Sequence, residues 1–405
     1  MVGQVYPSEK TQFRDPETGA EITQYTSVGQ TNRTLYFTNR PYVCDGQHVV
    51  FLSDRTGRNE MFLLHLQTGK ITQLTELEGQ RNVSNCIHPT RPELYFHNTK
   101  RLFRVRLDTL QTEELLRGPA DCSFGILNLN SPPWLAFEVI QNVEGVSLMK
   151  DGKPVPAKLN FEMHHQRPRS LIYRFNVDDG KLECVWGDYA LLSHVQISPA
   201  NPDLLIFSDW CGGVGRDRVW YLNLKKRIKA PARPLLGETQ TSRGGHECFT
   251  RKGNLYLQWM EGDLQEDGEH QLMHAFKFLA GLPIEKVERG EFKRYALPEK
   301  MGYMGHHYTM SSDETWGVHD RWLTAPSFEE NMSWLSVFRH QDKDPQTVVV
   351  KLCFHNGHKG DRIGLGAELT IDNQDESAFY TSFLGGNANL CQVKLAPFVE
   401  KLMKQ

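Results

Sequence analysis

Three histidines and one glutamate, His194, His246, His307 and Glu368, recur at one place in a repeated pattern, the turn into the innermost strand of each unit. If the units are arranged about an axis, these strand starts crowd at one mouth of the axial channel, and the four side chains face a common funnel. Imidazole and carboxylate groups converging in a concave site are what a divalent cation or a general base requires. The competing reading is that each histidine simply satisfies its own inner strand.

Other candidates surround this ring. The stretch from Trp210 to Arg218 carries Arg216 and Arg218 on a glycine-rich loop that leads into an outer strand. A guanidinium fork matches the two oxygens of a carboxylate, and a solvated loop with an Asp217 pair is the plainer alternative. The run His164-His165-Gln166-Arg167-Pro168-Arg169 is either a subsite for an anionic ligand or a solvated loop. Arg243, Arg169 and Tyr308 are the residues expected to contact substrate. His306 points away from His307, and His355 and His358 read as surface residues. There is no GxxxxGK[ST], no GxGxxG and no Gly-x-Ser-x-Gly elbow, and no cysteine is placed as a nucleophile, which disfavours phosphate-loop chemistry and covalent hydrolysis.

The elements that must position these groups are strands. Short alternating apolar runs recur between turn signals, with Gly 33 and Pro 20 spread along the whole chain. The clearest unit, Tyr42 to Thr75, reads strand, turn, strand, turn, strand, and it returns around Leu94, Leu204 and Ser377. Inner-strand starts fall near Asn39, Ser84, Gly125, His194, His246, His307 and Glu368, at intervals of 45, 41, 69, 52, 61 and 61. Blades of roughly 40–50 residues with loop insertions predict an all-β, seven-bladed propeller in one domain over 1–405. A propeller must hide its first and last edges. The segment Asp15 to Thr26 copies an outer strand with no inner strands before it, so it is expected to complete the last blade. The residues after Ala396 suit a short terminal helix.

Composition narrows the partners. Lys+Arg 46 against Asp+Glu 49 leaves a net charge of -3, too little positive surface for nucleic acid or an anionic membrane. No stretch approaches the ~18–20 apolar residues of a membrane span. The polar start, Met1 to Lys10, lacks the pattern of a secretory signal, and the cytoplasm is the expected compartment. The eight cysteines form no CxxC pair and read as small buried hydrophobes.

The run from Thr18-Gly19-Ala20-Glu21 through Gln73-Leu74-Thr75 to Leu102-Phe103-Arg104-Val105, together with Arg218-Val219-Trp220, Gly245-His246-Glu247, and His307 followed by Asp313, resembles bacterial oligogalacturonate lyases over nearly the whole chain. That resemblance implies a cytoplasmic seven-bladed propeller that breaks short pectin fragments by β-elimination, with a manganese-type cation in the funnel. It implies His246 as base, Arg218 as catalytic arginine and His307 as a metal ligand. The last blade departs from the family. Where the family carries a Gln and then His-Pro-His, this chain has Ile363, Gly366 and Glu368 at the ligand positions. Glu368 can still ligate a hard cation and His194 is a substitute ligand; otherwise Arg218 or Arg243 carries the carboxylate alone.

The expected function is therefore a lyase for short uronic-acid oligosaccharides, oligogalacturonides first. The alternatives are a lyase for another uronide and a non-catalytic propeller that binds an anionic sugar or a protein.

Overall fold

In the computed structural model the middle strands of each unit are buried on both faces. Val49, Val50, Phe51, Met61, Phe62 and Leu64 are all 0% exposed, because each sheet is sandwiched between its neighbours. The structure describes residues 1–76, 84–98, 100–141, 149–150, 153–154, 168–209, 218–232, 242–261, 275–282, 284–287, 289, 293–296, 307–322, 330, 333–340, 347–357 and 366–405.

The described strands form seven antiparallel sheets of four or five strands, plus a hairpin of Met149–Lys150 with Lys153–Pro154. These are the expected blades. The innermost strands are, in order, Asn32–Arg33, Ser84–Ile87, Cys122–Ser131, Leu192–Ser198, Ser242–Phe249, Tyr308–Met310 and Thr370–Ile371. The last blade is finished by the N-terminal segment, with Ile22 opposite Val393 and Gln24 opposite Cys391. Thr11–Arg14 adds a further strand outside it, and Val5–Tyr6 extends the outer edge of blade one against Ile71–Gln73, an addition with no warning in the sequence. The terminal helix spans Ala396–Met403 and buries Phe398 and Leu402 in the core between the last two blades.

Three sequence expectations need correcting. Asn39 does not start a strand; the inner strand of blade one, Asn32–Arg33, comes before it. Gly125, His194 and His246 lie inside their strands, at register shifts, rather than at the starts. Of the described cysteines, Cys44 and Cys184 are exposed rather than buried.

What joins the blades at the axis is a chain of hydrogen bonds between each inner strand and the next. Asn39 Nδ2 donates to the Asn85 carbonyl at 2.9 Å, and Leu127 N to Ser84 Oγ at 3.0 Å. Ile197 N donates to Asn128 Oδ1 at 3.0 Å, and Gln196 Nε2 to the Glu247 carbonyl at 2.7 Å. The Tyr308 hydroxyl donates to the His246 carbonyl at 2.7 Å, and Thr309 Oγ1 to the Leu369 carbonyl at 3.0 Å. Phe37 N closes the circle on Glu368 Oε2 at 3.2 Å. Every blade is thus tied to both neighbours at the centre, where strands converge and backbone groups would otherwise be buried unpaired.

Gln196 also accepts from Phe249 N at 3.3 Å. Gln196→Ala strands two buried backbone groups and is expected to cost roughly 2–4 kcal/mol; an unmoved urea unfolding midpoint would contradict the role given to the clasp. A second prediction concerns Glu138, whose burial pushes its carboxyl from 4.5 up to about 8 while Ile126 N donates to it. A carboxyl with a raised folded-state pKa contributes stability that is complete below about pH 4.5 and lost as the pH rises through about 8. Glu138→Gln should therefore match the wild type near the acid end and exceed it increasingly toward the alkaline end, read as melting temperature against pH. A pH-independent difference would refute this.

Candidate active site

Two of the ring residues, His194 and His246, project from bulges, and the backbone at three of the four is unusual. His194, His246 and Glu368 hold φ at 57°, 49° and 47°, the left-handed region that costs a residue with a Cβ on the order of 1–3 kcal/mol. At His194 and His246 the register slips between Ser193 and Gln196 and between Gly245 and Cys248. A bulge re-aims a side chain toward the axis. The clasps hold the strain in place: Tyr308 grips the carbonyl of His246 itself, and Gln196 grips that of Glu247.

Two aromatic residues that sequence reasoning missed fill the centre. Phe37 stacks on His307 with centroids 4.6 Å apart and lies 6.3 Å from His246. Tyr36 sits 5.6 Å from His194 and 5.3 Å from His307. The His246 and His307 rings meet edge to face at 5.3 Å. His194, His246, His307 and Glu368 are thus brought round one aromatic pair. Tyr36 and Phe37 lie between the first inner strand and Asn39, where the sequence pattern was misplaced.

The charges divide into two groups. On one side Glu247, 1% exposed, accepts from Ser208 Oγ at 2.5 Å and faces His194 Nδ1 at 3.4 Å. Burial alone would raise the Glu247 carboxyl, but His194, Arg218 and the Ser208 hydroxyl hold it below its usual range. Arg218 lies directly against Gly245, where any Cβ would stand 3.3 Å from the guanidinium. The arginine therefore reaches the residue before His246. On the other side His307 Nδ1 faces Asp320 Oδ2 at 3.2 Å and Glu368 Oε2 at 3.5 Å. Burial would lower the His307 imidazole, yet Glu368 and Asp320 outweigh it and hold it above its usual range. Burial also raises Glu368, against the pull of His307. Tyr36 is raised well above the phenol range by burial and by Glu368 and Glu247. Behind Asp320 lies a wholly buried Arg321, its Nε 3.9 Å from Asp320 Oδ1.

Other expectations fall elsewhere. His355 is not a surface residue: it is 0% exposed, and burial pushes its imidazole down to about 3. Tyr308 is 1% exposed with its hydroxyl committed to His246, so it positions the ring rather than meeting substrate. Arg169 is exposed and opens the third strand of blade three, two strands out from the axis. Arg243 lies in the inner strand of blade five, but its side chain, like 164–167, 210–217, His306, His358 and Ile363, is outside the described residues.

The described residues do not fit the expected cation. His194 Nδ1 faces Glu247 at 3.4 Å. Gly366 offers no ligand, and a Cβ there would stand 2.5 Å from His307 Nδ1 and 2.7 Å from Asp320 Oδ2, so the space of the missing side chain is taken by that pair. Among the described residues no three His, Cys, Asp or Glu side chains are arranged to hold a metal ion. Gly366→Ala is accordingly expected to displace His307 and to destabilise by about 1–3 kcal/mol. An unaltered melting temperature with an unshifted His307 ring resonance would show that the contact is not tight.

Comparison with known proteins fits this architecture. The family model described as oligogalacturonate lyase matches residues 3–254. An oligogalacturonide lyase of Pectobacterium atrosepticum is 25% identical over 265 residues, 62% of this chain and 64% of that protein, and an oligogalacturonate lyase of Dickeya dadantii is 25% identical over 264 residues with the same shares. The chain thus aligns with about 64% of the length of these curated relatives. Two solved structures share the fold at 20% identity: an oligogalacturonate lyase in complex with manganese, with TM-score 0.78 over 97% of this chain and 98% of that one, and an oligogalacturonate lyase from Vibrio parahaemolyticus, with TM-score 0.79 over 98% and 99%. With more than half of its length matched by the family model, the chain belongs to the oligogalacturonate lyase family.

Proposed function

We propose that the protein cleaves short uronic-acid oligosaccharides, oligogalacturonides first among them, by β-elimination. One observation carries the reading: Arg218 lies against Gly245 beside His246, on the funnel wall that His307 completes. The proton to be removed lies α to a carboxylate and is weakly acidic. His246 takes it, the electron pair forms the C4–C5 double bond, the C4–O bond to the leaving sugar breaks, and that oxygen gains a proton from solvent. Arg218 pairs with the carboxylate as enolate-like charge builds on it, which lowers the barrier most in a water-poor site. Tyr36 and Phe37 supply an apolar wall for the sugar, and Glu247 fixes His194 and draws Arg218 toward the funnel. No step is assigned to a metal. The seven described cysteines are unpaired, which supports a reducing compartment such as the cytoplasm. No helix of the described residues is long and apolar enough to cross a membrane.

The test is ultraviolet absorbance of the unsaturated product with digalacturonate, trigalacturonate and a panel of other uronides, on chelator-treated protein with and without manganese. The expected result is product from the galacturonides at a rate indifferent to manganese, which the pairing of His307 with Asp320 and Glu368 favours. A rate that depends on manganese would put cation ligands outside the described residues. Product from another uronide alone would change the substrate, and silence across the panel with retained sugar binding would leave the non-catalytic reading, which the aromatic wall of the funnel also suits.

A further inference from the structure

Phe37, which stacks on His307, and Tyr308 also line a second space. Beneath them, among the far ends of the inner strands, is a chamber of about 230 Å³ walled by Phe37, Pro199, Phe249, Tyr308 and Met310, with Arg40 and Arg251 on its border. Arg40 also borders an adjoining cavity of about 70 Å³.

The two arginines are differently placed. Arg251 is the more engaged: it pairs with Asp375 at 3.0 Å and donates to the carbonyls of Ile371, Asp372 and Asn373, although its Nε too has no hydrogen-bond partner among the described residues. Asp375 is further committed to Ser312, and Asp372 to Ser377 and the Gln374 and Glu376 amides. Arg40 has one hydrogen bond, from Nη2 to the Ile371 carbonyl at 3.0 Å. Its Nε is shut off from solvent with no hydrogen-bond partner among the described residues. Among the described residues no carboxylate lies within ion-pair distance of it; burial and the neighbouring Arg251 hold it down to about 10, against the pull of Tyr42, Asp375 and Asp372. A half-buried guanidinium with a single hydrogen bond and no direct ion pair is under-satisfied, and a bidentate anion is its natural complement.

We propose that this chamber is a second binding site, distinct from the funnel, for a small organic carboxylate whose oxygens pair with Arg40 and whose apolar body packs against Phe37, Phe249 and Met310. The apolar wall distinguishes such a ligand from an inorganic anion.

The test is calorimetric titration of butyrate into the full-length protein, with acetate and chloride as comparisons. Saturable butyrate binding is expected, stronger than that of acetate and not displaced by chloride. Arg40→Gln should weaken it roughly tenfold or more, the worth of a charge-assisted fork, while His246→Ala should leave it unchanged. Should the glutamine variant fail to fold, Arg40→Lys keeps the charge without the fork and should still bind several-fold more weakly. No saturable binding, an affinity untouched by either Arg40 variant, or binding lost in His246→Ala would overturn the proposal. Acetate or chloride binding as tightly as butyrate would overturn the apolar half of it.

Discussion

The circle of hydrogen bonds between adjacent inner strands is the constraint on which the site depends. Seven strands approaching one axis cannot pair with each other as a sheet, so their backbone groups would be buried without partners. Side chains bridge the gaps instead: Asn39, Asn128 and Gln196 on one half of the ring, Tyr308, Thr309 and Glu368 on the other. These clasps also hold the left-handed backbone at His194, His246 and Glu368. Strain of that kind persists only where the surroundings over-determine it. The groups that could do chemistry are therefore aimed by the same bonds that close the fold.

Charge is arranged on the same plan. Glu247 stands beside His194 and near Arg218, while Asp320 and Glu368 flank His307, so these three groups each have an acidic partner. Buried charges survive only with such partners. Tyr36 and Phe37 place apolar surface against His194 and His307, and electrostatic contacts beside such surface are stronger than in open water. Gly366 matters by what it lacks, since His307 and Asp320 occupy the space its side chain would need.

Much of this was legible in the sequence because blades advertise themselves. Period-two apolar runs between turn residues marked the strands, and the orphan outer strand at Glu21–Gln24 foretold how the ring closes. The ring of His194, His246, His307 and Glu368 could be seen because equivalent positions recur. What escaped depends on the third dimension. A left-handed histidine leaves no compositional mark, so bulges were read as strand starts. Tyr36, Phe37, Asp320 and Arg321 reach the site from neighbouring blades, and nothing local distinguishes them from core or surface residues. Glu247 stood beside His246 in plain view, yet only the fold reveals that it faces His194. His355 looked like a surface residue, but it follows directly on the strand Thr347–Phe354 and is buried beside Phe383.

The central claim is that His246 removes the proton while the clasped bulge merely holds it in place. The most direct measurement is the rate of unsaturated-product formation from trigalacturonate by His246→Ala, alongside a melting curve that shows the ring intact. The account predicts a loss of at least about a hundredfold in turnover with the melting temperature close to that of the wild type. Turnover retained by a folded His246→Ala protein would contradict it.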